Sequence, residues 1–183
     1  DITISNMGPV INGEYNDFSP VISVDENALF FTSRRLRNDS TNANLVDDSD
    51  GQFFEDIYVS YRDRNGDWQL PELLNINESS QHSATINVSV DGQELFIYKD
   101  DDGNGDIYAS SLIGEIWSNP LKLSKEINSN DWESHSAQSA DGKTMSDMSF
   151  FDFLGIEIFS GRRNHTIFIE MCVWFRRGKI CFG

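Results

Sequence analysis

The chain has 183 residues, of which 30 are acidic and 14 basic, so its formal net charge at neutral pH is −16. Nucleic acids and anionic membrane surfaces bind proteins through phosphate groups, which need a basic patch, so the charge argues against both classes of partner. No stretch of 18 apolar residues occurs, and the sequence therefore predicts no transmembrane segment.

The first predicted elements are two β-strands within residues 13–33, joined by a turn at Asp25. This segment returns in altered form at residues 83–99, where Asp91 is the turn residue, and the turn occurs a third time at Asp141. The turn aspartates lie 66 and 50 residues apart. The chain is therefore predicted to consist of repeats.

The first interval is longer than the second because a polar, aperiodic segment interrupts it, and we place this loop insertion at residues 37–53. Arg34, Arg35 and Arg37 end the preceding strand and are expected to lie in a solvated loop, with carboxylate binding as the alternative. The acidic run 47–50 is likewise expected to be a solvated loop.

The period of the repeat is 50 residues, because Asp56-Ile-Tyr58 and Asp106-Ile-Tyr108 have this spacing and Ile-Asn pairs at 76–77 and 127–128 nearly match it. One period contains four short strands separated by turn residues, and no segment has a sustained helical period of 3.6. This pattern is typical of one blade of a β-propeller. The aromatic residues that repeat with the period are predicted to be core: Phe30, Phe96, Tyr58, Tyr108, Trp68 and Trp117.

The predicted fold is all-β, with about three four-stranded antiparallel blades. A closed propeller needs at least four blades, or about 200 residues at this period, so we expect an incomplete or open propeller. Residues 1–145 hold the repeats. Blade 1 covers about 13–75, blade 2 about 80–125, and blade 3 starts at about 130.

Residues 146–183 depart from the repeat pattern and carry both cysteines. One interpretation is a frameshifted tail that was never selected to fold. The other is the remainder of a degenerate third blade, because Glu157-Ile-Phe159 lies 51 residues beyond Asp106-Ile-Tyr108. Both interpretations stay open at this point.

The series Ser89-Val-Asp-Gly-Gln-Glu-Leu-Phe96, Asp106-Ile-Tyr108 and Trp117 resembles the TolB-type, WD40-like propeller repeat. Residues 11–23 and 31–35 are similar to the propeller part of cell-envelope proteins that also carry an outer-membrane-protein-A-like domain. The resemblance covers about residues 1–145. It implies a location in the periplasm or at the outer membrane, and a scaffold that binds an envelope protein or glycan through its loop face. Open blade edges imply self-association.

A candidate calcium loop lies between the second and third strands of blade 2. Asp100, Asp102, Asn104 and Asp106 provide oxygen ligands at every second position, and Gly105 is expected to permit the sharp turn. Both flanks are strand-like, which excludes an EF-hand. The alternative is an ordinary hairpin turn, for which Asp, Asn and Gly are the usual residues.

Candidate ligand-binding residues open each blade, because the start of the innermost strand lies near the central channel of a propeller. Within these groups we predict that Asp17, His82, Glu133 and His135 contact a ligand. The alternative is that these polar groups only satisfy the backbone and bound water. The opening groups are Tyr15, Asn16 and Asp17; His82 and Ser83; and Trp132, Glu133 and His135.

The sequence predicts a protein that is not an enzyme. The Gly-x-Ser-x-Gly elbow of hydrolases is absent, and a catalytic nucleophile, base and stabiliser cannot be assigned. The alternative is a propeller glycoside hydrolase or lyase with channel-facing carboxylates, for which Asp17 and Glu133 are candidates.

Overall fold

The computed structural model describes residues 6–101, 103–151, 156–163, 166–175 and 178–182, with side chains for residues 6–101 and 103–146. Its strands form three antiparallel sheets, none of which closes on itself. The described residues include no α-helix, and so none long and apolar enough to cross a membrane. The prediction of an all-β fold is confirmed.

The first sheet has four strands in sequence order, and its polar insertion connects the second strand to the third. In the second sheet, two short strands pair with different parts of the same long strand. The strands of these two sheets are β1 (Asp17–Ile22), β2 (Ala28–Ser33), β3 (Asp56–Tyr61) and β4 (Glu72–Leu73), then β5 (Ser83–Val88), β6 (Glu94–Asp100), β7 (Gly105–Ile113), β8 (Ile116–Trp117) and β9 (Leu121–Lys122).

The third sheet has five strands in sequence order, one more than the predicted blade. Its strands are β10 (Trp132–Gln138), β11 (Met145–Phe151), β12 (Ile156–Arg163), β13 (Thr166–Phe175) and β14 (Gly178–Phe182). The Glu157-Ile-Phe159 segment lies in β12, which pairs with β11 as β7 pairs with β6. The chain divides into two compact units, Asp1–Thr85 and Ile86–Gly183, and the division falls within β5.

The three repeated turns have the same hydrogen bonds. In each, a serine Oγ donates to the aspartate two residues later at 2.6 Å, in the pairs Ser23–Asp25, Ser89–Asp91 and Ser139–Asp141. The serine bond, with others from the turn, holds the pKa of each aspartate below its usual value. The following residue is left-handed, and two of the three turns place Gly92 and Gly142 there.

In each of the first two sheets, an asparagine side chain makes the same pair of hydrogen bonds to the backbone of the third strand. Asn77 accepts a hydrogen bond from the Ile57 backbone N–H at 2.7 Å and donates to the Ile57 carbonyl at 2.8 Å. Asn128 makes the same two bonds to Ile107, at 2.8 and 2.9 Å. The Ile-Asn pairs of the sequence therefore mark side chains that complete the backbone pairing of a strand.

The periodic aromatic residues lie in the core, as predicted. Phe30, Phe96, Tyr58, Tyr108 and Trp117 are buried, and Trp68 is half-buried. In the first unit, Tyr58 packs with Ile11, Leu29 and Phe31, and Trp68 and Leu73 cover this cluster. Alternation along β2 brings Leu29 and Phe31 to the same face, where they meet Tyr58 of β3, and burial of this apolar surface stabilises the sheet.

Candidate functional site

The functional candidates of the first unit gather at one end of its sheet. Because β1, β2 and β3 are antiparallel, the start of β1, the end of β2 and the start of β3 are neighbours. Asp17 pairs with Ser33 in register, and Ser33 pairs with Asp56. The residues just outside these strands therefore meet at the same edge.

The three arginines after β2 are bound to carboxylates of the same unit. Arg34 pairs with Asp50 and lies 3.3 Å from Glu55, while Arg35 Nη2 lies 2.7 Å from Asp17 Oδ1. Arg37 binds both oxygens of Asp56 and is buried with it. The side chains of all three are at most 14% exposed, so the predicted solvated loop is wrong. The carboxylates that they bind belong to the protein itself, and binding of a ligand carboxylate stays a prediction.

Asp17 opens β1 and is held as a carboxylate. Burial opposes its ionisation, but hydrogen bonds from Arg35, Ser33 and the Gly13 N–H hold its pKa below the usual value. The Ser33 hydroxyl donates to it at 2.7 Å and the Gly13 N–H at 3.0 Å. Asp17 is therefore ionised and fixed in position across the physiological pH range.

An open cleft of about 590 Å³ lies at this sheet end, between the start of β1 and the insertion. Two contacts join the strand side of the cleft to the insertion. Arg34 forms an ion pair with Asp50, and Asn16 Nδ2 donates a 2.9 Å hydrogen bond to Gln52 Oε1. We call it the strand-end cleft. Its lining residues are Tyr15, Asn16, Asp17, Phe18, Arg34, Asp50, Gln52 and Glu55.

His82 binds a residue of the insertion but does not line the cleft. Its Nε2 lies 3.0 Å from Asp47 Oδ2 of the insertion, and its Nδ1 lies 3.5 Å from Glu55 Oε2. The ring also packs on Phe54, with 5.0 Å between ring centroids. Asp17 and Glu55 line the cleft, and His82 contacts Glu55. Of the predicted ligand residues, Asp17 therefore lines the cleft and His82 lies next to it.

We expect His82 to make stability depend on pH. Glu55 first, then Asp47, raise its pKa, and burial and Arg34 oppose them. Because the folded-state pKa is raised, this stabilisation is fully present below the ordinary value of 6.5 and is lost as pH rises through the folded-state pKa. His82→Gln should therefore unfold about 0.5–1 kcal/mol more easily than the wild type at pH 5.5, and equally at pH 8.5. Urea unfolding at both pH values measures this.

The matched control is His135→Gln, because His135 is exposed in the second unit. It should leave the pH dependence of the wild type in place. A stability loss for His82→Gln that is equal at pH 5.5 and 8.5 would mean that packing, rather than charge, is what His82 contributes.

The second unit holds the other predicted ligand residues. Glu133 in β10 is fully buried and accepts a 2.5 Å hydrogen bond from Ser129 Oγ, which favours a structural role over contact with a ligand. His135 is exposed, and its Nδ1 lies 2.7 Å from Ser134 Oγ. Trp132 is 53% exposed, but its ring stacks on Tyr98 with 6.2 Å between centroids.

The candidate calcium loop joins β6 to β7, with Asp100 opposite Gly105 in register. Asp106 is buried, and its Oδ2 lies 2.5 Å from Lys122 Nζ, so a protein cation already neutralises that carboxylate. Asp102 lies outside the described residues, whose His, Cys, Asp and Glu side chains form no group of three able to hold a metal ion. Calcium binding here stays a prediction.

The glycine of this loop has a different role from the predicted one. Gly103 takes the left-handed conformation, with φ 74°, whereas Gly105 does not. A Cβ on Gly105 would lie 2.1 Å from a ring carbon of Tyr98 and 2.4 Å from Trp132 Nε1. Position 105 therefore needs glycine, because the rings of Tyr98 and Trp132 leave no room for a Cβ. The positions of Tyr98 and Trp132 in the sequence were the only signal that could have suggested this packing.

The sequence predicted part of the strand-end cleft, because Tyr15, Asn16 and Asp17 were expected to open a blade and Arg34 had carboxylate binding as its alternative role. Gln52 and Glu55 were missed, because they carry no repeat signal and belong to the insertion or its end. The sequence signal available for Gln52 and Glu55 was their polar character next to a predicted blade opening. Comparison with protein-family models and with curated proteins finds no match to this chain.

Proposed function

We propose that this protein is a non-catalytic binding module of a bacterial cell envelope, built from TolB-like propeller blades, which takes a protein or glycan ligand into the strand-end cleft. The cleft itself carries the proposal. Its volume of about 590 Å³ falls in the range of ligand clefts, about 300–1,000 Å³. The envelope location and the three-blade organisation rest on the repeat motifs of residues 1–145.

The polar groups of the cleft are already held in fixed positions, which supports binding. Arg34 is held between Asp50 and Glu55, and Asn16 is bonded to Gln52, so these side chains have lost conformational freedom before a ligand arrives. Preorganised polar groups lower the entropic cost of association. The cleft also lies on connecting segments supported by a sheet, where binding residues commonly occur.

The charge state of Asp17 favours binding over catalysis. A glycoside hydrolase needs one carboxylic acid with a raised pKa that protonates the leaving group. The Arg35 guanidinium and two further donors act in the opposite direction on Asp17 and keep it ionised. Asp17 is therefore unsuited to the general-acid role that the alternative hydrolase would give it.

Retention of envelope components on the immobilised chain tests this proposal. The double variant Asn16→Ala, Gln52→Ala removes two exposed amides from the cleft, so the fold should be kept while the retained protein or glycan is lost. Gln69→Ala is the control, because Gln69 is an exposed amide of the same unit that does not line the cleft. Equal retention by the wild type and the double variant would remove the cleft from the proposal.

A further inference from the structure

The cleft continues into a second depression. This depression has a volume of about 270 Å³ and shares Tyr15, Asn16, Arg34 and Gln52 with the strand-end cleft. Val46 and Phe53 of the insertion add apolar surface to it. Because the two depressions share residues, they form one continuous open surface, which suits an extended chain better than a compact cofactor.

An aromatic pair lines this surface. The rings of Tyr15 and Phe53 are tilted by 56°, with 6.1 Å between their centroids, so they do not cover each other face to face. Tyr15 is 37% exposed, so part of the residue is accessible to a ligand. Sugar rings have C–H faces that pack against aromatic rings, and Tyr adds a hydroxyl that both donates and accepts.

Planar amides lie beside the aromatic pair. Asn16 uses one N–H to bond Gln52 Oε1, and each amide can make up to four hydrogen bonds, so both retain capacity for a ligand. Sugar hydroxyls donate and accept at the same atom. They can therefore bond to both the donor and the acceptor group of an amide.

The charges of the cleft disfavour an anionic ligand. Arg34 pairs with Asp50 and Glu55, Asp17 pairs with Arg35, and the exposed Glu14 of the second depression adds a further carboxylate. An anionic ligand would be repelled by a chain of net charge −16.

From the aromatic pair, the amides and the carboxylates that repel an anionic ligand, we propose that the strand-end cleft binds a neutral oligosaccharide. This inference rests on the proposed binding function and specifies its ligand class. A saccharide of three or four units would lie along both depressions, with one ring on Tyr15 and its hydroxyls bonded to Asn16 and Gln52.

Calorimetric titration of the full chain tests the inference. The probes are the neutral tetrasaccharides of β-1,4-linked N-acetylglucosamine, β-1,4-linked glucose, α-1,4-linked glucose and α-1,6-linked mannose, and a Lys-containing tetrapeptide. We expect one of the saccharides to bind. Tyr15→Ala should weaken that binding about tenfold, because it removes the aromatic contact. Tyr61→Ala, which removes another exposed tyrosine of the same unit, should change it less than about twofold.

Two results would overturn the inference, and they differ in what they mean for the cleft. If the tetrapeptide binds, Tyr15→Ala weakens it and no saccharide binds, the ligand is a peptide and the proposed binding function stands. If saccharide and peptide binding are both absent, or both unchanged by Tyr15→Ala, the inference and the proposed cleft function fail together. Thermal unfolding of both variants verifies that each is folded.

Discussion

Asp56→Asn should lower the free energy of unfolding by about 3–5 kcal/mol, the largest effect that we expect from a single polar substitution in the first unit. Asp56 is 1% exposed, and both its oxygens accept hydrogen bonds from Arg37, at 2.8 and 2.7 Å. The substitution keeps the shape of the side chain but leaves the buried guanidinium without its counter-charge. Urea unfolding followed by tyrosine and tryptophan fluorescence measures the loss.

Asp48→Asn is the matched control, since Asp48 is an exposed aspartate of the insertion. Its effect should stay within about 0.5 kcal/mol. In the double variant Arg37→Leu, Asp56→Leu both charges are absent, so it should recover part of the lost stability. A loss below about 1 kcal/mol for Asp56→Asn would show that water reaches this pair and replaces the lost interaction.

The buried pair fixes the insertion to the first sheet. Arg37 at its beginning binds Asp56 at the start of β3, and Asn42 within it donates to the Arg35 carbonyl at 3.0 Å while accepting from the Arg37 N–H at 2.8 Å. Asp47 and Asp50 hold its far end through His82 and Arg34. The insertion is thus fastened at both ends, which positions the wall of the cleft.

The repeat pattern was enough to predict the sheet and its core. The 50-residue period placed Tyr58 and Tyr108 in equivalent buried positions, in strands β3 and β7 that are buried along most of their length. The same reasoning located the three serine–aspartate turns. These features depend on local structure, so sequence spacing contains them.

The partners of the buried charges could not be predicted in this way. The aspartates of the two Asp-Ile-Tyr segments are equivalent in sequence, yet Asp56 takes Arg37 from the insertion and Asp106 takes Lys122 from β9. Sequence spacing does not specify which cation will satisfy a buried carboxylate, because the partner is chosen by tertiary geometry. Gln52 and Glu55 of the cleft were missed for the same reason, since they come from the insertion or its end.

Asn128 is the residue of the second unit whose removal should cost most through hydrogen bonding. It is 4% exposed, and besides its two bonds to Ile107 it donates to the Leu123 carbonyl at 3.0 Å. The Ile107 carbonyl also accepts from the Leu123 N–H, so it keeps a partner if Asn128 is removed. The buried Ile107 N–H would lose its acceptor, and an unsatisfied buried donor carries its full desolvation cost.

Asn128→Ala should therefore lower the free energy of unfolding by about 2–3 kcal/mol, measured by urea unfolding of the full chain. Asn130→Ala is the control, because Asn130 is an exposed asparagine two residues away, and it should change stability by less than about 0.5 kcal/mol. Hydrogen exchange separates the mechanism from a general loss of packing, since the Ile107 amide should lose protection before the amides of β6. If Asn128→Ala and Asn130→Ala unfold at the same urea concentration, the Ile-Asn pairs do not stabilise the strand that they contact, and their repetition along the chain needs another cause.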